Sequence, residues 1–198
     1  MSVVDIIGTA AGIGFLAGIR LYATVFVLGL LIRFGIIELS EQFSTLLHLG
    51  SLPVLITSGI FMAAEFIADK VPWFDSLWDT VHTFVRPIGA GVLAFAAGSS
   101  LDPALKTAVI LVTGGVALTA HSAKAATRVA ANHSPEPVSN WTLSFAEDMF
   151  VPLGLWLTVH HPLVVLVLVI GFVIVFIWLI RRILRFLFER LRIPIETR

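Results

Sequence analysis

The chain has 198 residues, of which 58% are hydrophobic and 13% charged, with a mean hydropathy of +0.97. A water-soluble domain is about 45–50% apolar and about 25% charged, so most of this surface faces lipid, and the length suits one unit rather than several domains. The formal net charge is zero, and the absence of cysteine excludes disulfides, thiolate catalysis and cysteine-ligated metals.

The N-terminal apolar run has no basic region before it and continues past the length of a signal-peptide core. It reads as a first membrane helix over 6–34, with Gly8, Gly12, Gly14 and Gly18 in small-xxx-small pairs that allow close helix contact. A polar connection with Glu38, Glu41 and His48 spans 36–50, and a second helix is expected over 52–68. The aromatic, acidic stretch VPWFDSLWD (71–79) leads into a third helix that ends near 97. After a turn at 99–103 comes a fourth helix over 107–131, apolar first and basic later. The Pro-punctuated HSPEPV loop (133–138) precedes a fifth helix over 139–160. The sixth, 162–180, is the most hydrophobic, and an Arg-rich tail over 181–198 has Leu and Phe spaced for an amphipathic helix on the membrane surface.

The expected fold is therefore an all-α membrane bundle of six spans, a single domain over 1–180 followed by the basic tail. Arg181, Arg182, Arg185, Arg190 and Arg192 place the C-terminus in the cytoplasm, and an even span count then places the N-terminus there too. Two halves, 1–99 and 104–180, would have opposite orientations, the plan of inverted-repeat transporters. Gly12, Ala17, Ala23 and Thr24 match Gly115, Ala120, Ala126 and Thr127 at one constant offset, and Ala64-Glu65 resembles Ala146-Glu147.

The polar residues carry the functional signal. Arg20 sits near the middle of the first span, where a charge costs about 2.5–3.5 kcal/mol on insertion scales, so it should face the bundle and meet a carboxylate, Glu65 or Glu147. Glu65 and Asp69 share one helix face. Asp75, Asp79, His82 and Arg86 form an i, i+4, i+7, i+11 stripe, and His121, Lys124, Arg128 and Asn132 repeat that geometry. Glu147 and Asp148 are neighbours about 100° apart on their helix, so at most one should face a narrow site squarely. The bland reading is a set of neutralising pairs that fix helix register, with Lys70 and the basic stripe snorkelling to the membrane surface. The sharper reading is a hydrated cavity that binds an ion or an anionic group. Asp75, Asp79 and His82 could supply oxygen and nitrogen ligands to a metal, but the spacing is only permissive. No hydrolase elbow, P-loop, dinucleotide fingerprint or other cofactor signature is present, and the basic stripe is too short and too apolar in its surroundings for nucleic acid.

The segments AGIRLYATVFVLGLLIRFG (17–35), AEFIADKVPWFDSLWDTVHTFVRPIGAG (64–91) and HSAKAATRVAANHSPEPVSNWTLSFAEDMF (121–150) resemble the bacterial membrane family catalogued as domain of unknown function 4126. The resemblance implies an inner-membrane protein with several spans and brings no activity with it. Its motifs coincide with Arg20, Glu65, Asp69, Asp75, Asp79, His82, Arg86, Lys124, Arg128, Glu136 and Glu147. The leading expectation is a small transporter or channel-like permease for an ion or a small polar or anionic solute. Arg20, Arg86 and Lys124 would hold a negative group, the carboxylates would carry a proton or cation, and His82 could titrate near neutral pH. The rivals are a membrane enzyme or lipid-handling protein at the cytoplasmic headgroups and a non-catalytic assembly partner. The bilayer is the expected partner, and the sequence is compatible with a homo-oligomer.

Overall fold

Small residues let the first helix run through the middle of the molecule. In a computed structural model, which describes residues 2–37, 39, 41–132 and 138–191, α1 (Val3–Arg33) packs against every other α-helix. A capping box starts it: the Asp5 N–H donates to Ser2 Oγ at 3.2 Å and the Ser2 N–H to Asp5 Oδ2 at 2.8 Å. Gly8 and Gly12 lie against Pro162, Thr158 and Val165, while Gly14 and Gly18 lie against Thr113 and Ala117. Each pair of glycines therefore admits a different neighbour. A Cβ on Gly18 would collide with the Ala117 carbonyl, so that position tolerates no side chain without movement of a backbone. At Arg20 the backbone leaves the helical region (φ −146°, ψ 82°), and α1 is broken there into two helical pieces.

α1 ends in a turn at Gly35, whose φ of 65° suits glycine. A 3-10 segment (Glu41–Gly50) follows and is tied back by Arg33, which donates to the Gly50 carbonyl at 3.1 Å. Between its Phe43–Gly50 part and α2 (Leu52–Ala68) the chain bends by 71°. α3 (Pro72–Ala97) and α4 (Pro103–Asn132) are joined by a short turn in which Asp102 Oδ1 accepts from the N–H groups of Ala104 and Leu105, both at 3.1 Å. Pro72 and Pro103 occupy first-turn positions where a missing N–H costs nothing. α5 (Val138–His160) passes into α6 (Pro162–Leu191) through His161 alone.

Among the described residues no strand occurs, and four helices are long and apolar enough to cross a membrane: α1, α3, α4 and α6. A fifth crossing arises only if the bent pair ending in α2 counts as one, and α5 falls short. All six expected helices exist, but apolarity alone does not make six spans. The first part of α6 packs on α1 through Val165 and Val169, whereas every residue from 177 to 189 is exposed. α6 continues through the apolar-to-basic transition without a break, so the basic stretch to Leu191 is the end of that helix rather than a separate one. No Gly or Pro stands between 181 and 191 to turn the chain; residues 192–198 lie outside the described residues. The offset pairs do not share surroundings: Ala23 and Thr24 are buried, whereas Ala126 and Thr127 are exposed.

Candidate functional site

The break in α1 carries the centre of a buried charge network. Arg20, 1% exposed, places Nη2 2.7 Å from Asp69 Oδ2 and donates to Ser144 Oγ at 2.7 Å and to the Ser144 carbonyl at 3.1 Å. Its Nε lies 3.2 Å from both Glu147 Oε2 and Asp148 Oδ1. The guanidinium enters between the two neighbouring carboxylates of α5, so both reach it. The expectation that only one could face the site is corrected: both carboxylates flank the same Nε. Thr24 Oγ1 donates to the Arg20 carbonyl at 2.7 Å and braces the distorted turn.

Arg86 occupies the next layer. Its Nη2 donates to Glu65 Oε1 at 2.5 Å and lies 3.5 Å from Asp79 Oδ1. Its Nη1 donates to the Gly18 carbonyl at 3.1 Å and to His121 Nδ1 at 2.8 Å. Because Nδ1 accepts from an arginine, His121 is neutral and carries its proton on Nε2. That proton faces the Asp79 carbonyl at 3.0 Å and Thr83 Oγ1 at 3.1 Å. His82 is held differently: Nδ1 donates to the Trp78 carbonyl at 2.7 Å, and Nε2 meets the Tyr22 hydroxyl at 3.2 Å. A hydroxyl both gives and takes, so His82 can gain a proton without losing its partner.

α4 supplies the remaining cations. Arg128 forks onto Glu147 (Nε to Oε1 3.3 Å, Nη2 to Oε2 2.9 Å) and reaches Asp69 Oδ2 at 3.1 Å. Lys124 Nζ lies 3.4 Å from Glu147, 3.6 Å from Glu65 and 3.8 Å from Asp69. It is almost fully buried and donates no direct hydrogen bond. Asp69 and Glu147 are thus shared by three cations each. Asp75 and Asp79 line a 210 Å³ cavity between α3 and α4, together with Ser76, Thr80, Thr83 and Arg128.

Every one of the twelve residues singled out from the sequence lies in or beside this network. The Asp75, Asp79, His82 and Arg86 stripe is buried throughout, facing α1, α2 and α4. Of the two expected partners of Arg20, Glu147 is in contact, whereas Glu65 pairs with Arg86 and Lys124. Lys70 separates from Asp69: the carboxylate turns inward, and the ammonium lies over the Phe66 ring (2.8 Å to the centroid) near Trp141. Burial beside those rings pushes the Lys70 pKa below its ordinary value. Asn132 Nδ2 and Oδ1 and the whole of Glu136 fall outside the described side chains. Among the described residues no group of three His, Asp or Glu could hold a metal ion.

Three contributors were not singled out from the sequence. Ser144 stands three residues before Glu147, on the same helix face, and that spacing could have found it. Thr83 and Tyr22 gave no such signal, since lone hydroxyls are common in membrane helices.

The chain belongs to the family described as Domain of unknown function (DUF4126), which matches residues 7–182. No curated protein and no solved structure matches the chain.

Proposed function

We propose that this member of a family of unknown function is a membrane transporter that moves a proton or a cation through the buried network at the break in α1. The observation that carries the reading is the charge balance. Among the described residues, five ion-paired carboxylates (Glu65, Asp69, Asp79, Glu147, Asp148) gather with four cations (Arg20, Arg86, Lys124, Arg128), leaving one formal negative charge in excess. Buried charge left uncompensated costs several kcal/mol per ion, so the excess favours occupancy by protons or a cation. An anion is disfavoured because the guanidinium groups already face carboxylates. A discontinuous helix whose backbone carbonyl takes part in the site, as Gly18 does, is also a recurring device of secondary transporters.

Six crossings belong to this reading. α5 and α2 lose apolarity to Glu147, Asp148 and Glu65, which turn inward, while their outward faces carry Phe145, Met149, Leu153, Trp156, Ile56, Ile60 and Ile67. At 23 residues α5 is long enough to cross a hydrocarbon layer of about 30 Å, and α2, at 17, reaches the lower end of the range for a span. Arg181, Arg182 and Arg185 at the end of α6 support a cytoplasmic C-terminus, and an even count puts the N-terminus beside it in a bacterial inner membrane. The offset matches between 1–99 and 104–180 are the sequence support for two inverted halves, and the difference in burial between Ala23-Thr24 and Ala126-Thr127 weighs against them.

The test is proton flux in proteoliposomes loaded with a pH-sensitive dye, under an imposed potential and with a series of monovalent cations. A protein-dependent flux that is abolished in Glu147→Gln is expected. Flux equal to that of empty vesicles under every gradient would overturn the reading and favour an enzyme or an assembly partner.

A further inference from the structure

The seam between α3 and α4 changes character along its length. At one end is the 210 Å³ cavity walled by Asp75, Asp79 and three hydroxyl side chains. One turn further along α3, beyond Thr83, the same seam opens into a 610 Å³ groove of purely apolar lining, among it Ile88, Val92, Phe95 and Leu111. Those four side chains are all more than half exposed, so the groove faces the bilayer. Its floor includes Gly91, Gly114 and Gly115. A Cβ on Gly115 would meet nothing within 4 Å, so the missing side chain widens the groove and is not required by packing within the chain.

We propose that this seam binds an amphipathic organic cation, its charged head in the acidic cavity and its hydrocarbon tail in the apolar groove. The inference rests on the transport reading and names the substrate class for it. Charge complementarity selects the occupant. Asp75 and Asp79 both line the cavity, and the cation paired with Asp79, Arg86, stands 3.5 Å from it on the buried side, so the cavity wall is acidic. Among the described residues of the cavity wall the cation is Arg128, which directs Nε and Nη2 to Glu147 and Asp69. A head bearing several methyl groups or a protonated amine could lie against the carboxylates and hydroxyls, and an anionic head would meet two carboxylates. The volume of the groove lies within the range of about 300–1,000 Å³ that accommodates drug-sized ligands. The lateral opening lets a lipid-soluble tail arrive from the bilayer without crossing water. The acidic cavity adjoins the network through Asp79 and His121, which meet through the Asp79 carbonyl, so a bound head would sit against the groups that carry the excess charge.

The experiment uses the full chain in nanodiscs of neutral phosphatidylcholine. Thermal unfolding is followed while dodecyltrimethylammonium, dodecyl sulfate or dodecyl maltoside is added, three amphiphiles with one tail and different heads. The expected result is a saturable rise in Tm with the cation alone. Asp79→Asn should abolish the rise. Gly115→Leu, which fills the groove without touching the acidic wall, should weaken the cation by about tenfold or more while leaving the ligand-free Tm unchanged. Should Asp79→Asn fail to fold, Gly115→Leu decides alone. Equal shifts with the maltoside, or a cation response unaltered in Gly115→Leu, would overturn the proposal. Proton flux measured without amphiphile separates the two claims. Flux without cation-specific binding removes the ligand and leaves the transport reading; cation-specific binding without flux keeps the ligand site and removes transport.

Discussion

Arg20 and Arg86 are both fully buried guanidinium groups, yet their surroundings are opposite in kind. Arg20 faces three carboxylates from two helices at a place where its own backbone is broken. Arg86 has one close carboxylate, and its other arm is held by a carbonyl and a neutral imidazole. The first arrangement has surplus acceptors and can change partners; the second has a specific acceptor for each arm and holds one geometry. Charge alone does not distinguish a mobile site from a rigid one. The count and type of acceptors do.

The comparison breaks most visibly at Arg86. Arg86→Met removes the closest partner of buried Glu65 and leaves it Lys124 at 3.6 Å, and a loss of about 3–5 kcal/mol is expected in thermal or denaturant unfolding in detergent. Adding Glu65→Gln should recover part of it; no recovery would show that the arginine acts through packing alone.

A smaller loss, about 1–3 kcal/mol, is expected for His121→Phe, which removes one of the two acceptors of Arg86 Nη1 and leaves a buried N–H without it. The same unfolding measurement checks it, and a neutral outcome would mean that another acceptor is within reach.

Arg20→Lys should cost less stability than either, since the surplus of carboxylates still neutralises an ammonium. It should nonetheless suppress proton flux in proteoliposomes, because one ammonium cannot span Asp69 and the α5 pair as the fork does. Retention of wild-type flux would remove Arg20 from the transport path.

The finest test is a pair of double-mutant cycles on stability. Arg20 with Asp69 should show a coupling of about 0.5–3 kcal/mol, and Arg20 with Glu65 a smaller one, since Glu65 makes its direct contacts to Arg86 and Lys124. Equal couplings would mean that the two layers act as one.

Helix positions, the inward direction of the stripes and the glycine-mediated contacts of α1 were legible in the residues, because spacing along a helix fixes which side chains share a face. Registry between helices was not. Nothing in the spacing of Glu65 and Asp69 tells which of them stands level with Arg20, and the choice depends on how far α2 slides along α1. The break at Arg20 was also invisible: no proline accompanies it, and contacts with α3 and α5 hold it. The 71° bend before α2 falls at a Ser-Leu-Pro step that also reads as an ordinary helix start. Conversely, inward-facing acids lower the average apolarity of α5, which falls short of a membrane span on composition alone.

α6 has one further consequence. Its 30 residues make a rod of about 45 Å, half as long again as a typical hydrocarbon core of about 30 Å. Arg181 follows Pro162 by 19 residues, so the first arginine stands about one hydrocarbon thickness from the start of the rod. The helix therefore works as a ruler. In a thinner bilayer it must lean to keep its arginines among the headgroups, and because Pro162 lies against Gly8 the lean is handed to α1. Lipid chain length then becomes a mechanical input to the helix that carries the charge network, and a series of bilayers differing only in acyl length would read it out.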